Sequence, residues 1–167
     1  MTLRPYLAHD VEGWYSIQSD PQVLEYLGWP VRSRRQSAVH LRHRTRHTVL
    51  SFDGDFLALA VVHAGQLIGD VSLHLRGRGP EPEGAEIGWI LGSEWTGRGF
   101  AAEAAAALLE VAFTELGVRW VIAAIHPQNE RSIRLAQRLR FEAEPIHRGV
   151  LTMRLTAERW SQTGEAS

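Results

Sequence analysis

The sequence predicts a single α/β domain with a mixed, mostly antiparallel sheet flanked by helices. Its 167 residues suit one domain with a substantial core. The segment Phe56–Leu75 carries two strand patterns separated by a tight turn at Ala64 and Gly65, which is typical of a hairpin. The chain after Gly84 alternates strand, helix, strand and helix, which after a run of hairpins indicates a mixed α/β sheet.

Two helices are predicted before the hairpin. The first spans Ala8–Gly28, where apolar residues recur at helical spacing; Asp10 is its expected N-cap, and Pro21 interrupts it. The second spans Ser33–Leu50 and is strongly basic on one side. A loop rich in glycine and proline, residues 76–84, follows the hairpin.

The remaining elements alternate between short apolar strands and helices. The strand at residues 119–125 is typical of one that is buried on both faces. The C-terminal tail is polar and is expected to fray. In order, the predicted elements are the strand Ala85–Leu91, the helix Phe100–Leu116, the strand Arg119–Ile125, the helix Asn129–Phe141, the strand Gly149–Leu155 and the tail Ser161–Ser167.

A glycine-interrupted turn opens the long helix, in the stretch EWTGRGFAAEAAAALLE (Glu94–Glu110). Glycine destabilises a helix interior by about 0.5–1 kcal/mol relative to alanine, so Gly97 and Gly99 mark a sharp turn or a close approach of the backbone. The first N–H groups of a helix lack intrahelical acceptors, and the helix dipole is positive there. The stretch therefore predicts an anion-binding site.

The composition excludes several kinds of chemistry. No cysteine occurs, which rules out disulfides, thiolate catalysis and cysteine-based zinc sites. No lysine occurs either, which rules out a Schiff base and a Walker-type phosphate lysine. The formal net charge of −1 gives no general affinity for polyanions. No apolar run is long enough to span a membrane, and the N-terminus lacks a signal-peptide core, so we expect a cytoplasmic location and no membrane partner.

The order of the strand AEIGWIL, the turn TGRGFA, a helix, a strand, and then NERS and LRF is similar to that of the GNAT superfamily of N-acetyltransferases. The opening LRPYLAHDVEGWYSIQSDPQVLEYLGWP and the hairpin GQLIGDVSLHL most resemble the branch that contains the Rim-type ribosomal-protein N-terminal acetyltransferases. The resemblance covers residues 1–160 and leaves 161–167 as a tail. It implies one GNAT domain in which a strand splays from its neighbour and binds acetyl-CoA.

The resemblance implies three groups of contacts with acetyl-CoA. The family binds the diphosphate on the glycine turn, where Thr96 departs from the usual Gln or Arg. The splayed strand binds the acetyl and pantetheine part, and Asn129 and Ser132 lie near the thioester, although Asn129 could equally be a helix cap. Ser132, or water, is the implied proton donor to the leaving thiolate, because Ala136 stands where many members have a tyrosine. The implied cofactor-binding residues are Trp89, Ile90, Leu91, Thr96, Gly97, Arg98, Gly99, Phe100, Ala101, Ala102, Asn129 and Ser132.

Two side chains are candidates for the base that removes a proton from the acceptor amine. Glu86, acting directly or through water, lies where the family often carries a carboxylate; it could equally be a structural partner of an arginine. His74 is the second candidate, because Asp70, Ser72 and His74 alternate with apolar residues and share one strand face. A hairpin register that aligns this face with Glu86 would allow a proton relay, whereas a hydrogen-bonded structural histidine is the alternative.

Two further groups of side chains are candidates on the acceptor side. Tyr26 and Trp29 lie in the segment that walls the acceptor pocket in this family, and aromatic core packing explains them equally well. His40, His43 and His47 fall on one side of the basic helix at a spacing that could bind a metal. No carboxylate accompanies them, so we expect a solvated face and no metal. A basic helix without interleaved aromatics also argues against a nucleic-acid partner.

The resemblance implies an acetyl-CoA-dependent N-acetyltransferase, with a peptide or protein N-terminal α-amino group as the expected acceptor. Transfer is direct, because without cysteine no thioester intermediate can form on the enzyme. The alternatives are acetylation of a small amine such as a polyamine or aminoglycoside-like compound, a non-catalytic acyl-CoA-binding module, and an RNA-associated protein. A homodimer remains open.

Overall fold

The computed structural model describes residues 1–46, 48–77 and 83–162. In this part of the chain one seven-stranded sheet forms the centre of the fold, with the strand order β1-β2-β3-β4-β5-β7-β6. The mixed α/β fold predicted from the sequence is confirmed. The strands are β1 (Thr2–Pro5), β2 (Phe56–His63), β3 (Gln66–Arg76), β4 (Gly84–Leu91), β5 (Trp120–Ile125), β6 (Glu142–Ala143) and β7 (Leu151–Thr156).

Helices cover both faces of the sheet. They are α1 (Val11–Ser19), α2 (Pro21–Leu24), α3 (Arg34–Arg44), α4 (Phe100–Glu110), α5 (Glu130–Arg138) and α6 (Ala157–Ser161). No helix among the described residues is both long and apolar enough to cross a membrane.

The first predicted helix is interrupted where proline predicts it. Pro21 occupies the first turn of α2, and the side chain of Asp20 accepts the N–H of Gln22 as its cap. Asp10 precedes α1 as expected, but its carboxylate makes no cap hydrogen bond to that helix. It instead accepts two hydrogen bonds from the guanidinium of Arg4, at 2.7 and 2.8 Å.

Several boundaries differ from the prediction. Helix α3 ends at Arg44 and not at Leu50, because β-branched residues such as Thr45 lower helix propensity there. Helix α4 gives way at Val111–Glu115 to a π-helical turn. Strand β6 and helix α6 were not predicted. Residues 78–82 of the predicted loop, His47, and residues 163–167 of the predicted tail lie outside the described residues.

The sheet separates two apolar clusters. On one face Val71 and Leu73 of β3 pack with Leu108 and Leu109 of α4, all essentially inaccessible to solvent. On the other face a cluster centred on Trp14 joins α1 and α3 to β2. Full burial of a side chain the size of leucine stabilises the fold by about 1.5–3 kcal/mol, so both helical layers are held firmly on the sheet.

Strands β4 and β5 diverge after a short parallel pairing. Their register runs only from Gly84 opposite Trp120 to Glu86 opposite Ile122. Strand β4 continues to Leu91 and stays paired with β3 along its other edge. The edge of residues 87–91 that faces β5 therefore has no strand partner. This is the splay that the resemblance implies.

Candidate active site

The divergence of β4 and β5 opens a cleft of about 1320 Å³. Its walls come from the splayed part of β4, the N-terminus of α4, the end of β5 and helix α5. Residues of α2 and α3, together with the polar face of β3, line the remaining part. A cavity of this size accommodates a cofactor and a second ligand.

The glycine turn lies at the α4 end of the cleft. Gly97 and Gly99 have φ of +77° and +85°, a conformation that side-chain-bearing residues rarely adopt. A Cβ added at either position would meet no atom within 4 Å, so both backbones face open space. The N–H of Glu103 bonds the carbonyl of Gly99, and the amides between them precede the first intrahelical bond. Those amides suit an anionic ligand.

Five of the seven residues predicted at this turn line the cleft: Thr96, Gly97, Gly99, Ala101 and Ala102. The other two face aromatic neighbours. The guanidinium of Arg98 lies 5.0 Å from the ring of Trp95, and the Phe100 ring lies 4.7 Å from that of His63. The hydroxyl of Thr96 donates to the carbonyl of Ser93 at 2.9 Å, so its hydrogen is engaged within the turn.

The predicted thioester end brings Trp89, Asn129 and Ser132 together. The carboxamide oxygen of Asn129 accepts the N–H of Ser132 at 3.1 Å and so caps α5. The indole Nε1 of Trp89 donates to the hydroxyl oxygen of Ser132 at 3.3 Å. All three side chains line the cleft, as do Ile90 and Leu91.

The two candidate bases face each other across the neighbouring strands β3 and β4. His74 of β3 is paired in register with Glu86 of β4, so the two side chains project from the same face of the sheet. His74 lines the cleft and its ring stacks on that of Phe56 at 5.0 Å. Glu86 accepts a hydrogen bond from Arg76 at 2.9 Å and is absent from the described lining. The arginine partner was the alternative that the sequence left open for Glu86.

Asp70, on the same face of β3, is buried at the floor of the cleft. The hydroxyl of Tyr6 donates to its carboxylate at 2.7 Å, and the guanidinium of Arg44 lies 3.3 Å from the same oxygen. Burial raises the pKa of Asp70, although the charge of Arg44 and the hydrogen bond from Tyr6 both oppose the shift. The sequence marked Asp70 as polar on this face and missed both of its partners.

Residues 1–142 match the acetyltransferase (GNAT) domain family. The chain belongs to this family. It is an acetyl-CoA-dependent acetyltransferase, and its glycine turn, unpaired β4 edge and cleft fit the cofactor.

A relative by sequence and two structural neighbours are also named as acetyltransferases. The N-acetyltransferase p20 of Bacillus licheniformis is 28% identical over 148 residues, which cover 89% of this chain and 82% of p20. The aminoglycoside acetyltransferase AAC(6')-Ib in complex with coenzyme A has a TM-score of 0.77 at 20% identity, with 98% of both chains covered. The ribosomal L7/L12 alpha-N-protein acetyltransferase RimL, also with coenzyme A, has a TM-score of 0.76 at 17% identity, with 94% of both chains covered. At these identities the two structures show the fold alone.

Both aromatic residues predicted on the acceptor side of this acetyltransferase line the cleft. The ring of Tyr26 lies 5.4 Å from that of His126. A side-chain hydrogen bond with Glu25 raises the pKa of the Tyr26 hydroxyl. The ring of Trp29 packs edge-on to His40 at 5.8 Å. Glu25 also lines the cleft and was not predicted.

The predicted solvated histidine face is wrong for His40. Its Nδ1 accepts the indole N–H of Trp14 at 3.2 Å and lies 3.0 Å from the amide nitrogen of Gln18. Burial, with the charges of Arg44 and Arg32, lowers the pKa of His40 to about 4. His43 is exposed and lines the cleft beside Phe56. Among the described residues, which do not include His47, no cluster of three metal-ligating side chains occurs.

Proposed function

We propose that this acetyltransferase transfers the acetyl group of acetyl-CoA directly to the α-amino group of a peptide or protein N-terminus. One observation carries the proposal: a single cleft is lined both by the glycine turn and splayed strand and by the aromatic pair Tyr26 and Trp29. A cofactor and a peptide end bound in such a cleft would meet without a covalent enzyme intermediate.

The proposed chemistry needs a neutral amine and a stabilised thiolate. An α-amino group has a pKa of about 8, so only modest assistance from a base is needed near neutral pH. We assign this role to His74, which lines the cleft, with Glu86 opposite it in register. As the amine nitrogen bonds the carbonyl carbon and the C–S bond breaks, His74 takes the amine proton. Ser132 donates a hydrogen bond to the departing sulfur.

The experiment measures thiol release from acetyl-CoA with purified protein and a panel of amines. The panel contains peptides with free N-termini, the same peptides blocked by acetylation, polyamines and aminoglycosides. We expect turnover with free N-termini and none with blocked ones. Faster turnover of polyamines or aminoglycosides would show that the acceptor is a small amine and not a peptide N-terminus. No transfer to any amine would indicate a non-catalytic acyl-CoA-binding protein.

The same assay tests the base. His74→Gln should lower the rate at pH 7 by roughly 10²–10⁴-fold, and high pH should restore much of it because solution then supplies the neutral amine. Glu86→Gln should show a smaller defect of the same kind if it acts through His74. Glu142→Gln, an exposed carboxylate paired with Arg159, serves as the control. A larger pH-rescued defect in Glu86→Gln would make Glu86 the base.

A further inference from the structure

Arg44 is a buried arginine in the part of the cleft where the acetyl acceptor is proposed to bind, and one of its hydrogen-bond donors has no partner. Arg44 projects from the buried face of α3, is 7% exposed and lines the cleft. Its guanidinium lies 3.3 Å from Asp70 and 5.0 Å from the ring centroid of Trp14. Its Nε is enclosed, and no described residue accepts a hydrogen bond from it. A buried donor without an acceptor is costly, so this position suits a ligand that supplies one.

A second arginine strengthens the positive charge at this point. Arg32 precedes α3, and its guanidinium lies 5.2 Å from the ring of Trp29. Its Nη1 is also enclosed without an acceptor among the described residues, and no carboxylate there forms an ion pair with it. Burial and the neighbouring charge of Arg44 lower its pKa. Arg32 therefore adds a second positive charge near Arg44, while the ion pair with Asp70 is made by Arg44.

Neither arginine is placed to bind the diphosphate of the cofactor. The glycine turn opens α4, which packs on the sheet face that carries Val71. Asp70 projects from the opposite face, with Arg44 against it. The guanidinium of Arg44 thus lies away from the glycine turn, in the part of the cleft that Trp29, on the acceptor side, also lines.

We propose that the acceptor carries a carboxylate close to its amine nitrogen, and that Arg44 binds this carboxylate with Arg32 reinforcing the charge. The inference rests on the acetyl transfer of the proposed function and specifies a charged group that its acceptor carries. Two sources share the chemistry: the side chain of an N-terminal Asp or Glu, and the α-carboxylate of a free amino acid. Polyamines and aminoglycosides, which are polycations, are disfavoured by the same charges.

The test compares acceptors that differ only in the carboxylate. One arm uses peptides that begin with Asp or Glu against the same peptides beginning with Asn or Gln. The other arm uses free amino acids against their α-amides. We expect kcat/KM to be at least about tenfold higher for the charged member of one arm, and salt to reduce the difference. The arm that shows the preference identifies the source of the carboxylate.

Variants connect the preference to the arginines. Arg44→Gln should bring the ratio of the two kcat/KM values close to one. Should Arg44→Gln not fold, Arg32→Gln serves in its place, because it leaves the pair of Arg44 and Asp70 intact, and it should reduce the ratio. Arg42→Gln removes the same charge from the exposed part of α3 and should leave the ratio unchanged. A wild-type ratio near one in both arms, or equal loss in Arg42→Gln, would overturn this inference while leaving acetyl transfer intact. Absence of transfer to any amine would overturn the proposed function itself, and this inference with it.

Discussion

The contact between Trp89 and Ser132 determines what the serine hydroxyl can do. An indole N–H can only donate, so the oxygen of Ser132 must be the acceptor in this hydrogen bond. The hydroxyl hydrogen is then left for another acceptor in the cleft. A hydroxyl that accepts one hydrogen bond becomes a better donor of the next, because chained hydrogen bonds polarise one another. Trp89 is therefore a positioning residue for the hydrogen bond that Ser132 is proposed to donate to the departing sulfur.

Replacing Trp89 by phenylalanine tests this coupling, because it removes the N–H and keeps most of the ring. We expect kcat to fall by about 5–10-fold, the value of one ordinary hydrogen bond, with little change in acetyl-CoA affinity. In a Ser132→Ala background the same change should have almost no effect on kcat. Trp120→Phe, on β5 and outside the described lining of the cleft, is the control. Additive losses in the double variant would show that the two residues act separately.

At the residue level, the sequence predicted the parts of the site that lie in one short motif. Thr96, Gly97 and Gly99 lie within four consecutive positions, so their pattern could be identified directly. The pair of Tyr6 and Asp70 is separated by 64 positions, and only the folded sheet brings the two side chains together. Arg44 gave one usable signal: it follows Leu41 at helical spacing on the buried face of α3.

We expect cofactor affinity to depend most directly on the turn before α4. Gly99 is the N-cap of the helix and has a left-handed conformation, without any side-chain cap. The backbone amides there supply hydrogen bonds to a diphosphate only if no side chain covers them. Position 99 therefore requires glycine for two reasons: the left-handed backbone conformation, and the need to leave the backbone amides uncovered.

Gly99→Val should weaken acetyl-CoA binding at least about tenfold while the fold persists, because the branched side chain strains the turn and covers the amides. Calorimetric titration measures the affinity. Gly54→Val is a matched control: Gly54 has a φ of +87°, close to the +85° of Gly99, and a Cβ there would also meet no atom within 4 Å. Unchanged affinity in a folded Gly99→Val protein, or an equal loss in Gly54→Val, would remove the diphosphate from this turn.

Sequence periodicity predicted the order and the type of the helices and strands better than it predicted the residues at which they end. The hairpin turn at Ala64 and Gly65 could be predicted from Gly65, because glycine readily adopts the positive φ that it has there, whereas Ala64 adopts a positive φ that its side chain does not favour. Helix α5 instead exits through Arg140 with a φ of +69°, a position where glycine is usual and gives the clearer signal. The splay of β4 from β5 depends on where interstrand hydrogen bonding stops, which local periodicity does not encode. Only the family resemblance predicted it.

At the scale of the whole molecule, one half-buried histidine joins two helices that cover the same face of the sheet. His40 of α3 accepts the indole N–H of Trp14 in α1, and its ring stacks on that indole at 5.7 Å. Since Trp14 can only donate, Nδ1 of His40 must be unprotonated. Protonation would break this contact and add a third positive charge beside Arg44 and Arg32. The packing of α3 on α1 thus requires a neutral histidine.

The stability of the protein should consequently fall as the solution is acidified. His40 has a pKa of about 4 in the folded chain, against 6.5 for an ordinary histidine. Between these values the unfolded chain binds a proton that the folded chain does not, so the free energy of unfolding decreases as the pH falls from 6.5 to about 4 and this contribution levels off below 4. Above pH 6.5 the contribution is fully present.

Thermal unfolding between pH 4 and pH 8 measures this dependence. His40→Gln should flatten the decline of Tm between pH 6.5 and 4, whatever its effect at neutral pH, because glutamine does not titrate. His9→Gln, which replaces an exposed histidine, should retain the decline of the wild-type protein. Carboxylates such as Asp70 titrate in all three proteins, so the difference between the variants isolates His40. An NMR titration of the wild-type protein gives the same quantity directly, and a His40 resonance that titrates near pH 6.5 would contradict the prediction.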